Sequence, residues 1–182
     1  MGKKFWLLLG FYLLLLSLSH SAFSDNHQSY LEQGTQWFYK NEFQKALIAY
    51  TQAIKTNPQS SRAFFYRGNT NYALQHYQEA IEDYTQALTI NPRIADIYSS
   101  RGQCYFQLRN YTQAVRDFTQ ALSLNPQDGF AYIQRGRSQY FLGKRFEALA
   151  DFSEAIKVNP QLSNAYFNRG IVYAENGELE RA

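Results

Sequence analysis

The chain has 182 residues, of which 45% are hydrophobic, 17% are aromatic and 18% are charged. This length and composition predict one folded domain with a substantial core and argue against a disordered chain. The formal net charge is +3, and without Lys3 and Lys4 residues 25–182 carry a net charge of only +1. So small a positive surplus argues against nucleic acid as a partner.

The first 24 residues have the pattern of a secretory signal. Lys3 and Lys4 precede an apolar run over residues 5–18, and Ala22-Phe23-Ser24 offers small residues at a cleavage site. The run is short for a bilayer span, which needs about 20 apolar residues. Residues 1–24 are therefore predicted to be a signal peptide or, if uncleaved, an N-terminal membrane anchor formed by residues 5–18. Either alternative predicts export to a periplasm, a lumen or the extracellular space.

A period of 34 residues organises the remainder of the chain. It is set by the four prolines, each preceded by Asn: Pro58, Pro92, Pro126 and Pro160. With proline as the thirty-second position, residues 25–182 divide into units 27–60, 61–94, 95–128, 129–162 and a partial unit 163–182. Self-similarity at a fixed period of this length predicts a solenoid of stacked units.

Within the units, large and small residues occupy fixed positions. Positions 4 and 24 are Tyr or Phe, positions 20 and 27 are Ala, and position 8 is Gly34, Gly68, Gly102, Gly136 and Gly170. Positions 4, 8 and 11 share one face of a first helix, and positions 20, 24 and 27 share one face of a second. We expect glycine to face alanine so that the two backbones approach closely, and Asn-Pro to end the second helix.

These positions resemble the repeat of the tetratricopeptide repeat (TPR) family over residues 27–182, as four full repeats and a truncated fifth. The resemblance implies an all-α fold, a right-handed superhelical solenoid of antiparallel helix hairpins whose concave groove is lined by the first helices. One departure lies in the fourth unit, where Arg145 replaces the aromatic residue of position 17. We expect the turn of that unit to differ locally.

Two charged columns run through units two to four. Position 7 carries Arg67, Arg101 and Arg135, position 23 carries Asp83, Asp117 and Asp151, and the first unit lacks both partners. Because the first unit lacks both the arginine and the aspartate, we interpret the residues of the other units as structural ion pairs within a unit. In such a pair a guanidinium binds a carboxylate through two hydrogen bonds. Pairing of each aspartate with the arginine of the next unit is the alternative, and a ladder of ligand-binding arginines is disfavoured.

The TPR resemblance also implies a non-catalytic interaction scaffold that binds a partner protein or peptide in its groove. Carried over to this sequence, the groove positions predict these partner-binding residues: Phe65, Tyr66, Asn69, Tyr72, Gln103, Phe106, Gln134, Arg137, Tyr140, Phe141 and Phe167. The positions with which cochaperones of the family bind a terminal carboxylate carry no basic residue in the first three units. They carry Leu31, Thr35, Tyr66, Asp96 and Ser100.

Residues for catalysis are scarce. The sequence after residue 24 holds two histidines, His27 and His76, and one cysteine, Cys104, without metal-ligand spacing or a glycine-rich phosphate loop. We therefore expect no enzyme activity and no cofactor. An alternative function is structural self-association, because Tyr166 and Tyr173 of the partial fifth unit would lack the second helix that covers their equivalents.

Overall fold

The computed structural model describes residues 26–175, and these residues form nine α-helices without a β-strand. Residues 1–25, which include the predicted signal or anchor, and residues 176–182 lie outside the described range. The helices are α1 (26–39), α2 (Phe43–Thr56), α3 (Ser61–Ala73), α4 (Tyr77–Ile90), α5 (Ala95–Gln107), α6 (Tyr111–Leu124), α7 (Gly129–Phe141), α8 (Arg145–Val158) and α9 (Ser163–Glu175).

Helices that follow one another in the chain pack together, so that each first helix from α3 onward also contacts the second helix of the preceding unit. Successive first helices, α3, α5, α7 and α9, contact one another as well. Within residues 26–175 no such contact joins successive second helices. The first helices therefore line the inner side of the stack, and the expected all-α helical-repeat solenoid is confirmed.

The turn from first to second helix has one backbone conformation in all four complete units. The residue at position 15 of each unit lies in this turn and has a positive φ, between 57° at Arg109 and 75° at Gly143. A left-handed residue after a helix allows the next N–H groups to reach the last carbonyls. In the third unit Asn110 donates its N–H to the carbonyl oxygen of Tyr105 at 2.8 Å. The expectation of a different backbone turn before Arg145 is therefore wrong.

The fourth unit differs in its side chains instead. In the first three units the aromatic residues of positions 12 and 17 meet edge to face, as Phe38–Phe43, Tyr72–Tyr77 and Phe106–Tyr111. In the fourth unit Arg145 lies 3.5 Å from Glu175 of α9. Phe141 stacks on Tyr111 of the preceding unit, with ring centroids 4.8 Å apart. Position 17 of this unit thus contacts the following unit, and Phe141 contacts the preceding one.

The turn from second to first helix begins at the asparagine before proline. Asn57 is extended, with φ −138° and ψ 91°, as the residue before a proline prefers. Its Oδ1 accepts a hydrogen bond from the N–H of Gln59 at 3.1 Å, and the other three asparagines make the same bond. This local bond satisfies the N–H of the residue that follows proline, where the helix has ended.

The glycine of position 8 packs against an aromatic ring, and the expectation that it faces alanine is wrong. A Cβ atom on Gly68 would lie 2.7 Å from Cε1 of Tyr84, and one on Gly136 would lie 2.8 Å from Cε1 of Phe152. The alanines of positions 20 and 27 are fully buried one turn before and after that ring. Glycine thus makes room for the ring between the two helices.

We call the contact between the two helices of one unit the seam. It contains the glycine of position 8, the aromatic ring of position 24 and the charged residues of positions 7 and 23.

Within residues 26–175 there is no helix whose length and hydropathy would allow it to cross a membrane.

Candidate partner-binding groove

The seam holds the charged columns that the sequence singles out. Asp83 accepts hydrogen bonds from Nη2 of Arg67 at 2.6 Å and from its Nε at 3.0 Å. The Arg101–Asp117 and Arg135–Asp151 pairs have the same two-bond geometry, with distances of 2.7 to 2.8 Å. Each arginine thus binds the aspartate of its own unit and leaves the aspartate of the neighbouring unit to that unit's arginine.

Burial governs the ionisation of these pairs. The three aspartates are buried, and the arginines are partly buried. Burial raises the pKa of the Asp83 carboxyl, while hydrogen bonds from Arg67 and Asn71 favour its ionised form. The hydrogen bond to Asp117 raises the pKa of the Arg101 guanidinium. Removing either partner would leave a charge with little access to water.

Each seam arginine also reaches the preceding unit, a contact that sequence reasoning missed. Arg101 donates Nη1 to Thr85 Oγ1 at 3.0 Å, and its Cζ lies 5.7 Å from the ring centroid of Tyr98. The periodic signal was present, because position 25 is a hydroxyl residue in all four complete units: Thr51, Thr85, Thr119 and Ser153. Arg67, Arg101 and Arg135 therefore each connect three helices.

The groove lies on the inner side, where the first helices contact one another. A central depression of about 250 Å³ is lined by Asn69, Tyr72, Ser100 and Gln103 and by Tyr84 at its floor. Burial raises the pKa of Tyr84, so its hydroxyl stays protonated and donates to Asn69 Oδ1 at 2.8 Å. The floor of this part of the groove is therefore polar.

A second depression of about 200 Å³ lies between α7 and α9, and we call it the C-terminal depression. Its floor is Phe152, its walls include Tyr140, Phe141 and Ile171, and Arg137 lies at its side. Phe152 is 1% exposed and has no hydroxyl. This part of the groove is therefore apolar except for one guanidinium, one amide and the Tyr140 hydroxyl.

The N-terminal end of the groove is polar. A depression of about 460 Å³ is lined by Gln28, Glu32, Arg62 and Tyr66 among others, and Arg62 donates to Gln28 at 2.7 Å. The hydroxyls of Thr35 and Tyr50 lie 3.2 Å apart beside it. Sequence reasoning had treated Tyr50, Tyr84 and Phe152 as packing residues only and missed their place at the groove floor.

The predicted groove residues fall into two groups. Phe141 and Phe167 are 53% and 69% exposed, and the other nine are half-buried. Seven of the eleven line the depressions: Tyr66, Asn69, Tyr72, Gln103, Arg137, Tyr140 and Phe141. Phe65 and Tyr72 also pack against a core cluster, so these aromatics serve the wall and the core together.

The remaining candidate residues give no sign of chemistry. Cys104 is fully buried, and burial raises the pKa of its thiol to about 12. Nδ1 of His27 lies 2.9 Å from the carbonyl oxygen of Ala53. No group of three potential metal ligands occurs among residues 26–175.

Two protein-family models match this chain. The model described as tetratricopeptide repeat matches residues 95–128, and the model described as TPR repeat matches residues 68–109 and 136–177, together more than half of the chain. The chain belongs to the tetratricopeptide repeat family. TPR proteins are in general non-catalytic protein-interaction scaffolds. No curated protein matches the sequence.

Solved structures share the fold. A crystal structure of MamA protein is 22% identical, has a TM-score of 0.82, and is matched over 86% of this TPR chain and 86% of its own. The TPR domain of Arabidopsis OM64 is 28% identical with a TM-score of 0.61, over 63% of this chain and 94% of its own. YrrB, described as a TPR protein with an unusual peptide-binding site, is 25% identical with a TM-score of 0.74, over 84% and 78%.

Proposed function

We propose that this protein is a non-catalytic scaffold that binds a partner protein or peptide in the groove formed by its first helices. The observation that carries the proposal is the row of depressions lined by half-buried aromatic and amide side chains. Concave sites with apolar walls and a few directed polar groups are typical of ligand sites. The peptide-binding site named for YrrB supports the same use of this fold.

The groove favours an extended polypeptide. Its central part offers amides and hydroxyls for backbone hydrogen bonds, and its aromatic residues offer apolar contact at successive units. Anchors of this kind dominate the affinity of protein interfaces. Three charged residues line the described depressions, Glu32, Arg62 and Arg137, so we expect complex formation to depend on salt only through a few ion pairs.

Site-specific photo-crosslinking in the native host tests the location. A benzophenone side chain replaces either Gln103, which lines the groove on α5, or Gln120, which is exposed on the second helix α6 of the same unit. We expect a discrete crosslinked partner from position 103 and none from position 120. A partner that crosslinks only from position 120 would move the site to the outer surface.

Matched phenylalanine variants extend the test to affinity. Phe141 is 53% exposed and lines the C-terminal depression, whereas Phe146 is 84% exposed and lines none of the depressions described above. We expect Phe141→Ala to weaken capture of the crosslinked partner by about tenfold. Phe146→Ala should leave it unchanged. Equal effects would argue against a groove-specific site.

Self-association through α9 is a second candidate function. Tyr166 and Phe167 are 44% and 69% exposed, while Ile133, which corresponds to Phe167 in the preceding unit, is 6% exposed. Exposed aromatic surface of this kind favours pairing with another surface. Sedimentation of the full chain at micromolar concentration tests it. A dimer that Phe167→Ser converts to monomer supports the candidate, and a monomeric wild type removes it.

We also propose export, with residues 1–24 as a cleaved signal or an uncleaved anchor. The positive residues Lys3 and Lys4 and the apolar run over residues 5–18 support it. N-terminal sequencing of the protein recovered from soluble and membrane fractions separates the alternatives. Recovery in the cytosol with residues 1–24 intact would contradict both.

A further inference from the structure

We propose that the C-terminal depression binds an acidic side chain that lies beside a large apolar residue in an extended peptide. The inference rests on the proposed function and names the ligand chemistry of one part of that groove. It is carried by the contacts of Arg137, which differ from those of the ion-paired arginines Arg67, Arg101 and Arg135.

Arg137 has a neutral partner where Arg67, Arg101 and Arg135 have carboxylates. Its Nη1 donates to Gln134 Oε1 at 2.9 Å, and its Cζ lies 4.7 Å from the ring centroid of Phe106. None of the carboxylates among residues 26–175 lies within ion-pair distance of it. The ring and the amide hold the guanidinium in place at the edge of the depression, while its charge stays uncompensated there.

The neighbouring surface is apolar. Phe152 forms the floor, Phe141 and Ile171 form part of the wall, and the volume of about 200 Å³ suits one large side chain of a ligand. Water is partly displaced from such a site, which strengthens an ion pair with the guanidinium beside it. An apolar side chain and a carboxylate a few atoms apart would therefore satisfy the two chemistries of the depression together.

The carboxylate is assigned to an acidic side chain rather than to a chain terminus. The amide of Asn168 already donates to the carbonyl oxygen of Asn164 at 2.6 Å, and the Tyr140 hydroxyl donates to Glu175 at 2.6 Å. Arg137 is thus the one cationic donor of the described depression. A single two-bond pair suits a side-chain carboxylate on a peptide that continues along the groove.

Selection from a random dodecamer peptide library on the full chain tests the inference. We expect peptides selected on the wild type to be enriched in Asp or Glu within three residues of a large apolar residue. On Arg137→Gln we expect the apolar enrichment to persist and the acidic enrichment to vanish. Arg116→Gln, which removes an exposed charge on α6, is the matched control and should select the wild-type consensus.

A selected peptide then gives a double-mutant cycle. Changing its acidic residue to the amide should weaken binding to the wild type by about tenfold and leave binding to Arg137→Gln unchanged. Arg137→Lys keeps the charge without the planar fork and should retain part of the preference. Amidating the peptide's C-terminus should change nothing. A loss on amidation would instead assign the site to a terminal carboxylate and overturn the inference.

The outcomes separate this inference from the proposed function. Peptides that require the groove, as judged by Phe141→Ala, but show no acidic preference overturn the inference alone. A library that yields no groove-dependent peptide contradicts the proposed function itself. Circular dichroism and thermal unfolding of each variant show whether it remains folded.

Discussion

The seam and the groove lie on the same helices, but their residues differ in how far they recur from unit to unit. Two positions of the seam keep their residue type in every unit that contains them: position 8 is always glycine, and position 24 is always Tyr or Phe. Position 9 faces the groove and changes in every unit, from Thr35 through Asn69, Gln103 and Arg137 to Ile171. Internal repetition thus separates residues that build the solenoid from residues that give each part of its inner face a chemistry.

Arg135 and Arg137 show the contrast within a single turn of α7. Arg135 donates twice to Asp151, donates to Thr119, and its Cζ lies 5.5 Å from the Tyr132 ring centroid. Arg137 instead has a neutral amide partner and lines the C-terminal depression. One arginine is therefore engaged by the fold, and the other remains available to a ligand.

The largest expected effect concerns Cys104, which is fully buried in α5. Burial raises the pKa of its thiol to about 12, so almost no thiolate exists at pH 8. We expect alkylation by iodoacetamide at pH 8 to be more than a hundredfold slower in the native protein than in urea. Seam variants should speed labelling by opening the fold, and groove variants should not. Rapid native labelling would show that α5 opens independently.

The next largest effect is the difference between the two arginines of α7. Arg135→Gln leaves the Asp151 carboxylate buried without its cationic partner, and we expect it to lower the free energy of unfolding by about 3 kcal/mol. Arg137→Gln removes no carboxylate contact and should change it by less than about 0.5 kcal/mol. Urea unfolding of both variants measures the difference. Equal costs would erase the distinction between seam and groove at this helix.

A smaller effect is expected at the glycine of the seam. A Cβ on Gly136 would meet the buried Phe152 ring at 2.8 Å, while alanine favours the helix by about 1 kcal/mol. We expect Gly136→Ala to cost a net of about 1 to 2 kcal/mol in urea unfolding. Adding Phe152→Leu to that variant should cost less than it does in the wild type. Simple additivity of the two changes would argue that glycine is there for another reason.

Much of the fold could be predicted because a few residue types recur at fixed positions of the repeat. The 34-residue spacing of Asn-Pro and the columns of Gly and Ala placed every unit and both helix faces, since turns and close packing tolerate few residue types. The within-unit pairing of Arg67 and Asp83, which we inferred from the loss of both partners in the first unit, is the contact in the structure. The detailed packing could not be read in the same way, because periodicity gives the face of a residue but not its partner. Gly68 therefore faces Tyr84, where alanine was expected.

The groove was harder to predict, because its residues vary and several belong to the second helix. Tyr84 and Phe152 reach the inner side only because position 8 has no side chain to block them. The groove positions of the family lie on the first helices, so they predicted Arg137 and Tyr140 but not Tyr84 and Phe152 of the second helices. The available charge of Arg137 depends on where neighbouring side chains lie, which requires coordinates.

The smallest expected effect is at Tyr84, on the floor of the central depression. Tyr84→Phe removes the hydrogen bond from the hydroxyl to Asn69 and leaves the ring, which remains packed against Gly68. We expect a cost of about 1 kcal/mol or less in urea unfolding, because Asn69 lines an open depression where water can replace the hydroxyl. Phe118 and Phe152 already occupy the same position in later units, so the fold tolerates the change. A cost near that of Arg135→Gln would make the hydroxyl part of the seam. A small cost together with altered peptide selection would assign it to the groove, as its place at the floor of the central depression leads us to expect.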